Sequence, residues 1–325
     1  MFFPLSNWAS LLYSKVMWTI IIITLILLFI LWNVTLFGYR DKVLPPLEQD
    51  ETKVFSEKAK SILLLQESEK AILLLHGFPS TPSMYSYSAQ RFYEAGWDVH
   101  VPLIPTFGSD PREFAKTNFT QWFEYVRTYY ETMQKNYPTV HVLGTSMGGL
   151  LALKLGEKYC DTEQAPKKIV SIAAPVVYNS IRDGIITDAR SYIMRTVALF
   201  TPSIGAKTVE GNPNSDDGNE EWIGYGGLFV RCGLSLVHNM KEVRKNLGKI
   251  TCPLFAIHDV NDKTVPFGNL KIIQRENGSR DFKTLQTQMG KFKHNRHALL
   301  LYRSIQEELT TTIIEFLETE ERDNG

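Results

Sequence analysis

The chain has 325 residues, with 35 Lys plus Arg balanced by 35 Asp plus Glu, and that neutrality gives no electrostatic footprint for a nucleic-acid partner. With 44% apolar and 22% charged residues it reads as a globular protein with a sizeable core, of one large or two modest domains. Three widely spaced cysteines, Cys160, Cys232 and Cys252, match no metal-ligand pattern, and their odd number argues against a disulfide framework, leaving them as small buried hydrophobes.

After a tail, 1–15, residues 16–38 carry no charge, and the stretch WTIIIITLILLFILWNVTLF is long enough to cross a bilayer. Trp18 and Trp32 stand towards its ends, where aromatic rings favour the membrane interface. The apolar run is longer than that of a signal peptide, and no small-x-small cleavage pattern follows it. We expect a single-pass anchor. Lys15 before the span against Arg40, Lys42 and Lys53 after it leans towards a cytoplasmic C-terminal domain, a margin too small to assign the side. Residues 39–59, with Pro45-Pro46, read as a linker.

From residue 60 to 320, apolar runs at 61–66, 71–75, 97–101, 139–143, 168–173 and 253–258 predict strands. Segments 83–95, 120–135, 148–159 and 299–318 predict helices. The alternation predicts an α/β fold, a mostly parallel sheet with helices on both faces. Residues 176–247 break the rhythm with helix-like segments and the loop GNPNSDDGNEE, and no strand pair can be placed there. They read as an insertion over the sheet.

The sharpest chemical signal is Gly144-Thr145-Ser146-Met147-Gly148, a G-x-S-x-G between the strand VHVL and the helix GGLLALKL. This context fits a nucleophile elbow, whose strained turn lifts a serine hydroxyl above the sheet and whose glycines avoid Cβ clashes. A serine hydroxyl needs a base, and the base an orienting carboxylate, which follow in the order Ser, Asp or Glu, His. Only His294 and His297 lie late enough, and Asp259 and Asp262 both stand at the end of the strand PLFAIH. One oxyanion donor is the N–H of Met147, and the other belongs to the loop after AILLL.

Residues 60–320 resemble the small bacterial carboxylesterases and monoacylglycerol lipases of the α/β-hydrolase superfamily. The matching pieces are LLLHGFPSTP, GTSMGG, SIAAPV, DKTVP and a late histidine before a final helix. The resemblance implies Asp262 as the acid, His297 as the base and the N–H of Phe78 as the second oxyanion donor, with His76 structural. Asn295-Arg296-His297 departs from the usual Ser-x-His or Gly-His of that branch. It also implies that the insertion is a cap, with Leu199, Phe200, Trp222 and Phe229 either lining an acyl tunnel or packing the cap onto the core; His238 has no evident partner. The expected function is hydrolysis of a carboxylic ester with an apolar acyl chain through an acyl-Ser146 intermediate, with no metal or organic cofactor. An anchor beside the bilayer favours lipid esters such as monoacylglycerols. A thioesterase, small-peptide aminopeptidase or acyltransferase would use the same triad, and a non-catalytic tethered binding protein would show a degraded one.

Overall fold

The computed structural model describes residues 5–178 and 189–319. Nine strands are β1 (Ile62–Leu64), β2 (Lys70–Leu75), β3 (Asp98–Val101), β4 (Thr139–Thr145), β5 (Ile169–Ile172), β6 (Ile204–Glu210), β7 (Ile223–Leu228), β8 (Leu254–Asp259) and β9 (Phe282–Thr287) among the described residues. The helices are α1 (Leu5–Thr35), α2 (Ser86–Glu94), α3 (Pro111–Phe114), α4 (Phe119–Asn136), α5 (Met147–Tyr159), α6 (Met194–Phe200), α7 (Val230–Lys245), α8 (Gly268–Glu276) and α9 (Gln306–Glu318).

Seven strands form one sheet in the order β1-β3-β2-β4-β5-β8-β9, parallel except for β1. Period-two alternation explains why its central strands are apolar throughout. In β2, Ala71, Leu73 and Leu75 face one core with α4, α5 and α7, while Ile72 and Leu74 face the other with α2 and α9. Helices thus cover both faces, as the alternation requires.

Four details differ from the expectation. Strand β9 was not anticipated: it lies at the sheet edge and is only partly buried, so its sequence FKTLQT carries a weak apolar signal. The expected helix 299–318 is broken into a turn, Leu299–Leu301, and α9, because Leu299 and Leu300 are buried and Tyr302 is held by the backbone before it. The insertion does contain a strand pair, the antiparallel hairpin β6–β7, whose mostly exposed first strand and glycine-rich second strand hide it from a hydrophobicity reading. Part of the insertion, 179–188, lies outside the described residues. Finally, Cys160 after α5 and Cys252 before β8 are joined as a disulfide, Cα atoms 5.4 Å apart across 92 residues; only Cys232 is a free buried thiol. The sheet brings the pair together, which spacing along the chain cannot show.

Helix α1 starts at Leu5, earlier than the uncharged run itself. Its window Leu12–Thr35 has a mean hydropathy of 2.5, and only 6% of it is buried by the rest of the chain. The buried part is its last turn. The Asn33 carboxamide accepts from the Thr196 N–H at 3.0 Å and donates to the Thr196 hydroxyl at 3.1 Å. The Arg195 guanidinium lies 4.2 Å from the Trp32 ring and donates to the carbonyls of Trp32 (3.0 Å) and Phe37 (2.8 Å). Lys241 donates to the Thr35 carbonyl at 3.0 Å. Cations from α6 and α7 thereby satisfy carbonyls that a helix end leaves unpaired.

Residues 39–59 lie against the α/β body. Asp41 accepts from the Thr120 hydroxyl (2.7 Å), the Ser235 hydroxyl (2.8 Å) and the Asn239 amide (2.9 Å). Leu47, Val54 and Phe55 pack on the core, and the Tyr39 ring stands 5.3 Å from His238.

Candidate active site

Strand β4 ends at Thr145 and α5 begins at Met147, so Ser146 occupies the turn between them at φ 59° and ψ −121°. A non-glycine residue in that region is strained and is held there by its surroundings. The Ser146 N–H donates to the Ile172 carbonyl of β5 at 2.8 Å. A Cβ on Gly144 would lie 2.0 Å from the Gly148 carbonyl oxygen, and one on Gly148 would lie 1.8 Å from that of Leu75. Both positions of the motif therefore exclude any side chain.

The loop after β2 lies against the serine. A Cβ built on Gly77 would be 3.2 Å from Ser146 Cβ and 3.8 Å from its hydroxyl oxygen. Among the described residues, the N–H groups of Phe78 and Met147 have no hydrogen-bond partner. His76 sits beneath: its Nε2 accepts the Ile104 N–H at 3.1 Å and its Nδ1 faces the Gly77 carbonyl at 3.2 Å. Burial pushes its pKa down to about 4, so it is neutral and structural. Tyr85 ties the layers together, donating towards the Leu75 carbonyl at 2.7 Å and standing 2.9 Å from the Thr145 hydroxyl.

The alternatives at β8 separate sharply. Asp259 is fully buried and accepts from the Asn261 N–H, the Thr287 hydroxyl and the Met289 N–H at 2.8, 2.8 and 2.7 Å, tying β8 to the end of β9. Asp262 accepts the N–H groups of Thr264 (2.7 Å) and Val265 (3.0 Å) on one oxygen and stands 2.7 Å from His297 Nδ1 with the other. Burial works to raise the Asp262 pKa, but the charge of His297 and the hydrogen bonds of His258 and His297 outweigh it and hold the carboxyl below its usual range.

His294 is engaged elsewhere. Its Nε2 lies 3.1 Å from Asp217 of the insertion, its Nδ1 accepts the Arg296 N–H at 3.0 Å, and its ring stacks on Tyr302 at 3.6 Å. His297 is held by its own backbone N–H, which donates to the Tyr302 hydroxyl at 3.1 Å. Its Nε2 is buried and makes no hydrogen bond among the described residues.

Two supporting residues escaped the sequence reading. His258 Nε2 lies 3.3 Å from Asp262 and 3.0 Å from the Val265 carbonyl, a second imidazole on the same carboxylate. Tyr302 grips the backbone of both His297 and Ala298. No motif marks either residue; only their spacing of four from Asp262 and five from His297 ties them to the site.

The insertion packs on the loop after β2 through its hairpin β6–β7. The hydroxyls of Ser80 and Thr81 donate to the Ile223 carbonyl at 3.3 and 3.2 Å, and the Tyr225 N–H donates to the Pro79 carbonyl at 2.9 Å. Of the four expected cap residues, Phe229 is buried with its ring centroid 6.2 Å from that of Phe78, Trp222 is half-buried, and Leu199 and Phe200 are exposed. Among the described residues no cluster of His, Cys, Asp and Glu is arranged to hold a metal ion.

The comparisons with known proteins agree with this architecture. Over 202 residues, 62% of this chain and 74% of the relative, it is 28% identical to a thermostable monoacylglycerol lipase of Bacillus sp. (strain H-257). Over 254 residues, 77% of this chain and 93% of the relative, it is 25% identical to a carboxylesterase of Bacillus subtilis (strain 168). A solved structure from work on metagenome-derived lipolytic enzymes superposes with a TM-score of 0.67 at 18% identity, covering 81% of this chain and 99% of that one, a likeness of fold alone. The family model described as serine aminopeptidase, S33, matches residues 66–301, and the chain belongs to that family, with the α/β-hydrolase fold.

Proposed function

We propose that the protein is a membrane-anchored serine ester hydrolase acting on esters with an apolar acyl chain, of the monoacylglycerol or carboxylesterase-substrate kind. The observation that carries this is the Asp262–His297 pair at 2.7 Å, together with an elbow that holds Ser146 at positive φ. His297, oriented through Nδ1 by Asp262, takes the Ser146 proton on its vacant Nε2 as the hydroxyl oxygen attacks the ester carbonyl carbon. The N–H groups of Phe78 and Met147 receive the oxyanion. Collapse of the tetrahedral intermediate breaks the bond to the alkoxy oxygen, which leaves with the proton from His297. Water, deprotonated by the same imidazole, then releases the acid from acyl-Ser146. The names of the Bacillus relatives support an ester, and the apolar surroundings of Phe78, whose ring packs on Phe114, Trp122 and Phe229, support an apolar acyl group.

Membrane anchoring rests on α1. Its described apolar side chains are largely exposed, which argues against a core helix, and its last turn is bound to Arg195, Thr196 and Lys241, which argues against a segment removed on maturation. Around its exit the cap exposes Ile193, Leu199, Phe200 and Ile204, and Phe37 stands exposed beside them, an apolar surface suited to a bilayer interface.

The test is fluorophosphonate labelling followed by a chain-length panel of matched esters, thioesters and peptide amides. Labelling at Ser146 with esters turned over fastest is the expected result. A preference for peptide amides, as the family's description would suggest, would replace the esterase reading with an aminopeptidase. Full-length protein that washed off membranes at high salt, or matured with a new N-terminus near residue 40, would remove the anchor.

A further inference from the structure

Between the last turn of α1, the cap and α7 lies a cavity of about 950 Å³. One face of α7 lines it: Leu234, Val237, Lys241, Arg244 and Lys245 follow one another at helical spacings of three, four, three and one. Along that face the chemistry changes from apolar to cationic within three turns. The apolar end meets Leu36 of the anchor segment, and the cationic end meets Glu276 of α8. Such a surface is built for an amphiphile with a negative head, not for a small free anion.

The charges there are incompletely matched. Arg244 is paired to Glu276 through two contacts, 2.9 and 2.8 Å, and Lys245 to Glu242 at 2.8 Å. Lys241 has no carboxylate partner among the described residues; its ammonium donates only to the Thr35 carbonyl. Partial desolvation and the neighbouring Lys245 draw its pKa below that of an ordinary lysine, the response of a cation that lacks a counter-ion.

Position decides the source of the anion. The cavity wall includes Asn33, Val34, Thr35 and Leu36, the residues at which α1 ends. A helix that spans a bilayer brings this wall to the level of lipid head groups, and juxtamembrane cations at that level attract anionic lipid. We propose that the cavity between α1, the cap and α7 is a binding site for the head group of an anionic phospholipid in the leaflet from which α1 emerges, with Lys241 and Lys245 as its cationic contacts. The site is separate from Ser146. It rests on the membrane reading of α1, and occupancy would reinforce the contacts that join anchor to cap.

The experiment uses the full-length protein with phosphatidylcholine vesicles containing or lacking phosphatidylglycerol, and photoactivatable analogues of both lipids. Flotation and photolabelling are read together, with fluorophosphonate labelling of Ser146 as the check on folding. The expected result is flotation with both vesicle types and labelling of the 234–248 segment by the phosphatidylglycerol probe in preference to the phosphatidylcholine probe. Inorganic phosphate should leave that label in place. Lys241→Gln with Lys245→Gln should weaken the preference about 25-fold, at roughly fivefold per cation, while Ser146 labelling and flotation persist. Flotation with equal labelling by the two probes, a preference that survives the double substitution, or a label displaced by oleate and not by phosphatidylglycerol would overturn the site. Protein that failed to float at all would overturn the membrane reading and the site with it, and would leave the catalytic assignment standing.

Discussion

The elbow and the junction between α1 and the insertion are both held by hydrogen bonds to backbone, yet they differ in the reach of those contacts. At the elbow the constraints are steric and set by backbone: a Cβ on Gly144 would strike the Gly148 carbonyl four residues on and one on Gly148 would strike the Leu75 carbonyl of β2, while Asp262 is fixed by the N–H groups of residues two and three further on. At the junction they are long-range: Asn33 meets Thr196 across 163 residues, and Lys241 meets Thr35 across 206. The proposed nucleophile thus stands on a rigid frame of backbone contacts from β2, β4 and β5. The contact that sets the cap against the anchor uses side chains whose loss shifts an equilibrium and does not abolish a reaction.

The largest effect should come from the nucleophile. Ser146→Ala is expected to lower kcat by roughly 10⁵- to 10⁶-fold and to abolish fluorophosphonate labelling, since the triad acts as a unit. Labelling retained in the variant would move the nucleophile elsewhere and break the contrast at its stronger end.

Next come the paired alternatives. His297→Ala and Asp262→Asn should each reduce kcat by about 10⁴-fold or more with the melting temperature little changed. Asp259→Asn and His294→Ala should do the reverse: they should keep most of the activity and lose about 1–3 kcal/mol of stability, because the first turns a buried acceptor into a donor facing donors and the second removes a buried hydrogen-bonding ring. A kcat loss at Asp259 matching that at Asp262 would show that the acid has been misassigned.

Acid stability sharpens the local side of the comparison. The folded-state pKa of His76 lies at about 4, below the ordinary value of 6.5, so the unfolded chain binds the proton more readily. The stabilisation is complete above the unfolded pKa and is lost as pH falls from 6.5 towards 4, a change of about 3 kcal/mol. Thermal unfolding followed from pH 7.5 to 4 should show the fall, and His76→Asn should flatten it. An unchanged slope would mean that other groups, such as buried His141, whose pKa burial also lowers to about 3, carry the dependence.

The smallest effect belongs to the junction. Arg195→Ala removes two hydrogen bonds to the end of α1 and the stacking on Trp32, and should reduce hydrolysis of a bilayer-embedded ester by about five- to tenfold, the equivalent of one or two hydrogen bonds. Hydrolysis of a soluble short-chain ester should stay near the wild-type rate. Equal losses on both substrates would make the junction a general stabiliser of the cap. For anchor-free protein, cutting just before Tyr39 keeps the Asp41 contacts with α4 and α7, whereas starting at Val54 discards them along with Leu47. The shorter form should therefore melt lower.

The amino-acid sequence by itself determined the features governed by local sterics and by periodicity. These are the apolar helix before residue 38, the alternating strands and helices, and the strand–turn–helix around Ser146; for acid and base it offered only the candidates Asp259 or Asp262 and His294 or His297. Tertiary structure decided what depends on distant partners. It set Asp262 against His297 while committing Asp259 to β9 and His294 to Asp217 of the insertion. It put His258 on the same carboxylate, joined Cys160 to Cys252, and folded a hairpin from a segment with little apolar pattern. It also laid residues 39–59 on the hydrolase body and capped α1 with Arg195 and Lys241. A hydrogen bond between residues far apart in the chain leaves no period and no spacing to read, because its energy depends on an approach in space that only the folded sheet creates.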